Sequence, residues 1–318
     1  QPVHRRAFDA KCRTSFIKSR FEFGMAQFGT VFCDKYVSVK FADGAWQKPE
    51  MLPMGPIPMH PAAHVFHYAS TCFEGFKAYR WEDGQARIYR LNDHVARMQK
   101  SAASLRLPVP DADILAQMVK DIVAAVVEEI PEPPASLYLR PTLIGTEENI
   151  GAAAAPSGTA LLYVIASPVG DYFSGGATTL KLLVDDEHAR TTDQLGSTKT
   201  GGNYAAALGP TLDAKAKDGV DQVLFCPTGN VQETGAANFL LISDSEIITK
   251  PLDSSFLHGI TRDSILKLAT DNGYRVDERN FTVSELKQLI QTHEAALSLI
   301  HISEPTRHIC LSRMPSSA

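Results

Sequence analysis

Three short segments carry residue types that can do chemistry. The first is Gly196-Ser-Thr-Lys199-Thr-Gly-Gly-Asn-Tyr204, a lysine in a glycine-rich turn just ahead of an amphipathic helix. Glycines permit tight turns and let another group approach the backbone. A lysine amine is a nucleophile and a proton carrier once it is neutral, although a solvated surface charge also fits these residues. The second segment is Asn230-Val-Gln-Glu233-Thr-Gly-Ala-Ala-Asn238, a single acid before small residues and a strand; taken alone it reads as a turn. The third is Leu257-His-Gly259-Ile260-Thr261, with Thr261 as the expected N-cap of a helix that stops at Gly273. The N–H groups at such a helix start suit a phosphate, though most capped helices bind nothing. The patterns GxxxxGK[ST], GxGxxG after a strand and HExxH do not occur. No metal site is expected.

These segments need elements to hold them. Val31 to Val39 reads as a strand, and Gln85 to Arg90 alternates as one. Asn92 or Asp93 is placed to cap a helix through Met98 to Leu105. Asp111 to Ile130 sets Ile114, Leu115, Met118, Val119, Ile122 and Val126 on one helical face. Leu137–Ile144 and Ala160–Ala166 read as buried strands, which closes a small α/β domain over residues 25–166. Pro168, Gly170, Gly175 and Gly176 mark a linker over 167–178. A larger domain follows over 179–296. Its strands are expected at 180–184, 222–226, 238–242 and 246–249, and its helices at 203–218 and 262–272.

The 318 residues suffice for two domains, and the composition, 44% hydrophobic and 21% charged, is that of an ordinary globular chain. A net charge of -5 gives no reason to expect nucleic acid or an anionic membrane as partner. No apolar run is long enough to span a bilayer. Cys12, Cys33, Cys72, Cys226 and Cys310 are scattered without metal-ligand or CxxC spacing, and read as reduced thiols of a cytoplasmic protein. Residues 1–24 read as an extra segment, either translated upstream sequence or a basic targeting peptide. Leu297-Ser-Leu-Ile-His-Ile-Ser-Glu-Pro-Thr-Arg307 matches the translation of a common transposon-type sequencing adapter, so 297–318 reads as a non-native tail.

A lysine, then a glutamate, then a Gly-Ile-Thr helix start, in that order, resembles the branched-chain aminotransferases of the fold-type IV pyridoxal-phosphate family. The resemblance runs from about Phe28 to about Leu286. It includes Phe28-Gly-Thr-Val-Phe32, His67-Tyr68, Phe73-Glu-Gly-Phe-Lys-Ala-Tyr-Arg80, Arg97-Met98, Tyr138-Leu-Arg140-Pro-Thr-Leu-Ile-Gly-Thr-Glu147 and Ser167-Pro-Val-Gly-Asp-Tyr172-Phe. It implies a two-domain α+β fold of the D-amino-acid-aminotransferase type, a homodimer whose sites are bordered by the partner subunit, and pyridoxal 5'-phosphate as cofactor. Lys199 would carry the cofactor and move the proton, Glu233 would face the ring nitrogen, and Tyr204 would donate to the phenolic oxygen. Arg97 and the N–H groups of Ile260 and Thr261 would hold the phosphate, with Arg190 near the cofactor. Phe28, Tyr68, Phe73, Tyr138 and Tyr172 would form an apolar substrate pocket, and Arg140 would pair with the distal carboxylate of glutamate. The implied reaction is ping-pong transfer of the amino group of L-leucine, L-isoleucine or L-valine to 2-oxoglutarate, giving branched-chain 2-oxo acids and L-glutamate.

Two departures stand out. Some family members have a threonine directly after the glycine of the glutamate loop, where this chain has Ala236 after Gly235. The family also continues past 296 with a Gly-Thr-rich turn that this chain lacks. The large domain is therefore expected to be incomplete, with an exposed apolar face, and the chain as written to be poorly stable or inactive. The same-fold alternatives are a D-amino acid aminotransferase and an aminodeoxychorismate lyase; the long first domain and the FEGFKAYR and YLRPTLIGTE segments stand against them. An inactive truncated fragment is the alternative of another class.

Overall fold

Apolar strands and two amphipathic helices account for the first half of the chain. The computed structural model describes residues 28–151, 153, 155–170 and 180–292, and the backbone of two further strands at 296–301 and 309–311. The expected N-terminal segment, Tyr172, most of the expected linker and much of the expected tail lie outside the described residues. The first domain runs β1 (Lys35–Ala42), β2 (Ala45–Trp46), β3 (Glu50–Pro53), α1 (His64–Tyr68), β4 (Thr71–Phe73), β5 (Phe76–Arg80), β6 (Ala86–Ile88), α2 (Leu91–Ser104), α3 (Ala112–Ala125), β7 (Ser136–Gly145) and β8 (Ala160–Val169). The strands form one antiparallel sheet in the order β2-β1-β8-β7-β5-β6, with β3 beside β1 and β4 beside β7.

The helices α2 and α3 cover one face of this sheet. Val37, Val39, Phe76, Leu137, Leu139, Leu143, Leu162 and Val164 pack there against Met98, Leu115, Met118, Val119 and Ile122. Successive strand residues point to opposite faces. The same alternation that buries Leu137 and Leu139 therefore turns Tyr138 and Arg140 to the other face. Asp111 caps α3 by accepting from the N–H groups of Asp113 (2.9 Å) and Ile114 (3.1 Å).

Several element boundaries differ from the expected ones for local reasons. The helix expected to reach Ile130 ends at Ala125; the β-branched Val126 leaves helical geometry at φ -121°, and a short 3-10 turn follows. Neither Asn92 nor Asp93 caps α2. Arg90 precedes it at φ 45°, and Asp93 instead accepts from Arg90 Nε at 2.8 Å. The strand β8 continues through Pro168 to Val169, because the equally long β7 offers partners down to Ser136.

The second domain runs β9 (Leu182–Asp185), α4 (Gly201–Asp218), β10 (Gln222–Phe225), β11 (Glu233–Thr234), β12 (Ala237–Ile242), β13 (Glu246–Thr249), α5 (Ile260–Asp271), β14 (Arg275–Glu278), α6 (Val283–Gln291), β15 (Ala296–His301) and β16 (Ile309–Leu311). The sheet order is β14-β13-β12-β11-β10-β9. The parallel pairs β9/β10 and β13/β14 are each joined by a helical crossover, α4 and α5. A boundary at 296 does not coincide with the end of an element. The strand β15 pairs along β12 from Ala237↔His301 to Ile242↔Ala296. That edge of β12 presents backbone groups that need partners, and the alternating Leu297-Ser-Leu-Ile300 supplies them.

One glycine controls how the two halves of this domain meet. A Cβ at Gly196 would lie 2.1 Å from the Ser255 carbonyl carbon and 2.4 Å from the Ser254 oxygen. The next residue, Ser197, donates its N–H to Ser254 O at 3.0 Å. Gly196→Ala is expected to destabilise the chain by about 1–3 kcal/mol, measured as a lower urea midpoint at an unchanged slope.

Candidate active site

The backbone of Lys199 is held by the first domain, not by its own. Its N–H donates to Ser101 Oγ on α2 at 3.1 Å, and its carbonyl accepts from Phe73 N on β4 at 3.0 Å. The neighbouring Thr200 donates its hydroxyl to Thr71 O at 2.7 Å and forms a bridge with Cys72. Asn203, one turn into α4, closes the loop by donating to the carbonyls of Leu195 (2.8 Å) and Thr198 (2.9 Å). The glycine-rich turn therefore packs into the seam between the domains and presents one side chain inward.

That side chain is fully enclosed, with Lys199 1% exposed. Its Nζ lies 2.8 Å from Tyr204 Oη and 5.0 Å above the Phe73 ring. Burial, then Arg97, Arg140 and Arg190, push its pKa well below that of an ordinary lysine, against the opposing pull of Glu74. Burial also pushes the Tyr204 phenol up to about 12, so that it keeps its proton. The chemical product of this arrangement is a neutral amine, a nucleophile toward carbonyl carbon and a carrier for one proton.

Close to the amine stands Glu233, 0% exposed. It accepts from Arg190 Nη1 at 2.5 Å, Asn238 Nδ2 at 3.0 Å and Leu257 N at 3.4 Å. Burial pushes its carboxyl up to about 7 against the pull of Arg190 and the Leu257 N–H. Arg190 also donates Nε to Gly235 O at 3.2 Å and lies over the Tyr204 ring at 5.7 Å. Its direct role is therefore to fix Glu233. At Ala236, where some members of the resembled family have a threonine, the Thr234 hydroxyl serves the turn, accepting from Ala237 N at 2.9 Å.

Arg97, which also acts on the amine, and the start of α5 complete the site. Arg97 is gripped by Glu74 through Nε (2.7 Å) and Nη2 (2.8 Å), and its Nη1 donates to His258 O at 3.1 Å. Glu74 also bonds His94 Nδ1 at 2.8 Å, and the His94 ring stacks on Phe76 at 4.4 Å. Burial opposes ionisation of Glu74, but Arg97 and His94 outweigh it and hold its carboxyl well below the usual carboxylate range. The N-cap of α5 is Gly259, not Thr261; Thr261 is the second residue of the helix. Glycine has no side chain to cap the helix, so the N–H groups of Ile260 and Thr261 keep their capacity for an anion.

The aromatic candidates divide. Phe28 packs edge-on to Tyr138 at 5.1 Å, and Phe73 packs on Tyr204 at 5.3 Å. Arg140 lies over Phe73 at 4.5 Å and donates Nη2 to Tyr138 Oη at 2.6 Å. Phe73, Tyr204 and Arg140 lie about Lys199, and Tyr138 and Phe28 extend the group from Arg140. Tyr68 does not join them: its ring packs on His64 at 4.7 Å and its hydroxyl donates to Ile150 O. The reason is local, since the five-residue α1 ends at Ala69 with φ 50°, which turns the chain before β4. Sequence reasoning missed Glu74, His94, Ser101 and Asn238 as site residues. A buried-charge argument applied to the glutamate of the FEGF segment would have found the first. Among the described residues, no group of His, Cys, Asp and Glu is arranged to hold a metal ion.

A two-domain α+β chain with a buried lysine close to a buried acid and a buried arginine points to a class of enzyme, and comparison with known proteins agrees with it. The family model described as amino-transferase class IV matches residues 71–297. A branched-chain-amino-acid aminotransferase of Dictyostelium discoideum is 38% identical over 274 residues, covering 83% of this chain and 72% of that one. The crystal structure of the T.th. branched-chain amino acid aminotransferase with pyridoxamine 5'-phosphate superposes with a TM-score of 0.71 at 26% identity, covering 89% of this chain and 86% of that chain. A second structure of that protein, complexed with N-(5'-phosphopyridoxyl)-L-glutamate, gives 0.70 at 25% identity, covering 89% and 86%. The chain belongs to the class IV amino-transferase family.

The Glu74–Arg97 pair generates a prediction with a defined sign. A carboxyl whose folded pKa is depressed contributes stability above its unfolded pKa and loses it as pH falls. Glu74→Gln should cost about 3–5 kcal/mol at pH 7 by leaving Arg97 buried and unpaired. The difference from the unsubstituted chain should shrink as pH drops below the ordinary carboxyl value of 4.5, as followed by urea unfolding across pH.

Proposed function

We propose that this chain is an aminotransferase that transfers the amino group of L-leucine, L-isoleucine or L-valine to 2-oxoglutarate, using pyridoxal 5'-phosphate held at Lys199. The observation that carries the proposal is the enclosed amine of Lys199 close to both Glu233 and Arg97, with Arg97 bonded to the loop that starts α5. The names of the similar proteins, and the pyridoxamine phosphate and phosphopyridoxyl-glutamate complexes of the T.th. enzyme, support it.

The donor set fits this cofactor end to end. Lys199 suits its aldehyde, Tyr204 its phenolic oxygen, Glu233 its ring nitrogen, and Arg97 with the N–H groups of Ile260 and Thr261 its phosphate. When bound, the cofactor supplies a carbonyl carbon to accept the amino group and an electron-withdrawing ring. The protein's own residues do the rest. Lys199 is deprotonated by its surroundings and is therefore ready to bond to a carbonyl and to take a proton from a neighbouring carbon. Glu233, gripped by Arg190 and Asn238, holds a charge or a proton at one fixed place. The rings of Phe28, Phe73 and Tyr138 exclude water and suit branched aliphatic side chains. Arg140, spread over Phe73, offers a cation for the carboxylate of glutamate or 2-oxoglutarate.

Assembly as a homodimer and residence in the cytoplasm complete the proposal. Cys33, Cys72 and Cys226 are buried free thiols, which fits a reducing compartment. No helix among the described residues is long and apolar enough to cross a membrane.

Incubation with pyridoxal 5'-phosphate followed by borohydride reduction should place the label on Lys199 by peptide mass; a label elsewhere, or none, would reject the cofactor assignment. Because burial lowers the pKa of the amine, the rate of labelling should climb less with pH below 10.5 than that of a solvated lysine does. Lys199→Ala should abolish the label. With 2-oxoglutarate as acceptor, L-leucine should yield glutamate and D-alanine should not. Glu233→Gln keeps the hydrogen-bonding shape but not the charge, and should lower kcat by roughly a hundredfold.

A further inference from the structure

One buried polar group in the site does more than grip Glu233. Asn238, 1% exposed, donates Nδ2 both to Glu233 Oε2 (3.0 Å) and to Leu257 O (2.9 Å). The orientation of its amide is fixed by these two acceptors, since a flipped amide would set oxygen against oxygen. Its Oδ1 consequently points away from them, is buried, and has no hydrogen-bond partner among the described residues. That oxygen lies against the backbone at the start of α5: a Cβ built on Gly259 would stand 2.0 Å from it. A single amide therefore touches the acid at one end of the site and, at the other, both the loop leading to the anion-binding helix start and its N-cap. Its backbone is itself fixed, paired with Glu233 on one edge of β12 and with Ile300 on the other.

We propose that Asn238 is a positioning residue that sets the separation between Glu233 and the N-terminus of α5, so that a ligand is held tightly only when its ring nitrogen and its phosphate are engaged together. The inference rests on the cofactor reading above. Bonds from one rigid planar group to both ends leave little slack between them, whereas two independently mounted ends would tolerate ligands of different length. Gly259 belongs to the same device, because any side chain there displaces either the helix start or the amide.

The test compares the affinities of the apo chain for pyridoxal 5'-phosphate and for pyridoxal, which lacks the phosphate, by fluorescence titration. The ratio of the two affinities measures how well the phosphate end is used once the ring is seated. Asn238→Ala should lower this ratio roughly tenfold or more, with the loss falling on the phosphorylated ligand. An unchanged ratio, even with both affinities weaker, would assign Asn238 a purely structural role and overturn the proposal. Gly259→Ala approaches the same contact from the other side and should lower the ratio too. Asn238→Ala/Gly259→Ala removes the clashing oxygen and should cost less than the sum of the single changes. Should Asn238→Ala fail to fold, an unchanged ratio in Gly259→Ala overturns the proposal. Failure of the cofactor reading is distinct, because the unsubstituted chain would then show no borohydride-trapped label on Lys199.

Discussion

Everything in the site depends on keeping one amine dry and uncharged. An enclosed ammonium is costly to desolvate, and three guanidinium groups raise that cost further. Lys199 therefore loses its proton instead of drawing the chain open around it. The arrangement is workable only because the amine is aimed as well as dried. The backbone of Lys199 is bound by Ser101 and Phe73 from the other domain, so the reactive group exists as such only when the two domains are docked.

Two of the cations that depress the lysine, Arg97 and Arg190, are themselves buried, and each comes with its own carboxylate. Arg97 is held by Glu74, and Arg190 by Glu233. Such pairs add little net stability, because desolvation consumes most of the Coulombic gain. Their value here is positional. Glu74 occupies one edge of the Arg97 guanidinium and leaves the rest of its charge for a ligand, while Arg190 and Asn238 prevent Glu233 from rotating away. The two acids differ because their surroundings differ. Glu74 faces an arginine and a histidine and stays ionised; Glu233 lies so deep that burial competes with its arginine, which places its carboxyl where it can exchange a proton near neutral pH.

The pocket illustrates how a sheet divides its labour. In β7, Leu137, Leu139 and Leu143 face the helices and hold the first domain together, and the intervening Tyr138 and Arg140 face the seam. A one-residue slip in register would exchange the two sets. Core and pocket are thus specified by the same alternation, and a substitution that shifts the strand would damage both.

Much of this was legible in the chain itself. Strand alternation and helical stripes located most elements, and the ordered segments around Lys199, Glu233 and Gly259-Ile-Thr261 marked the chemistry, because the turn and helix-start geometry they need restricts residue type locally. Tertiary structure decided what those residues meet. Glu74 reaches Arg97 across 23 positions of the chain and Arg190 reaches Glu233 across 43, and no local pattern encodes such pairings. Packing also placed Tyr68 with His64 and Ile150 instead of with the lysine, and moved the cap of α5 from Thr261 to Gly259. The sequence by itself determined which groups are able to react. Only the fold determined their charge, since protonation depends on burial and on neighbours brought together from distant parts of the chain.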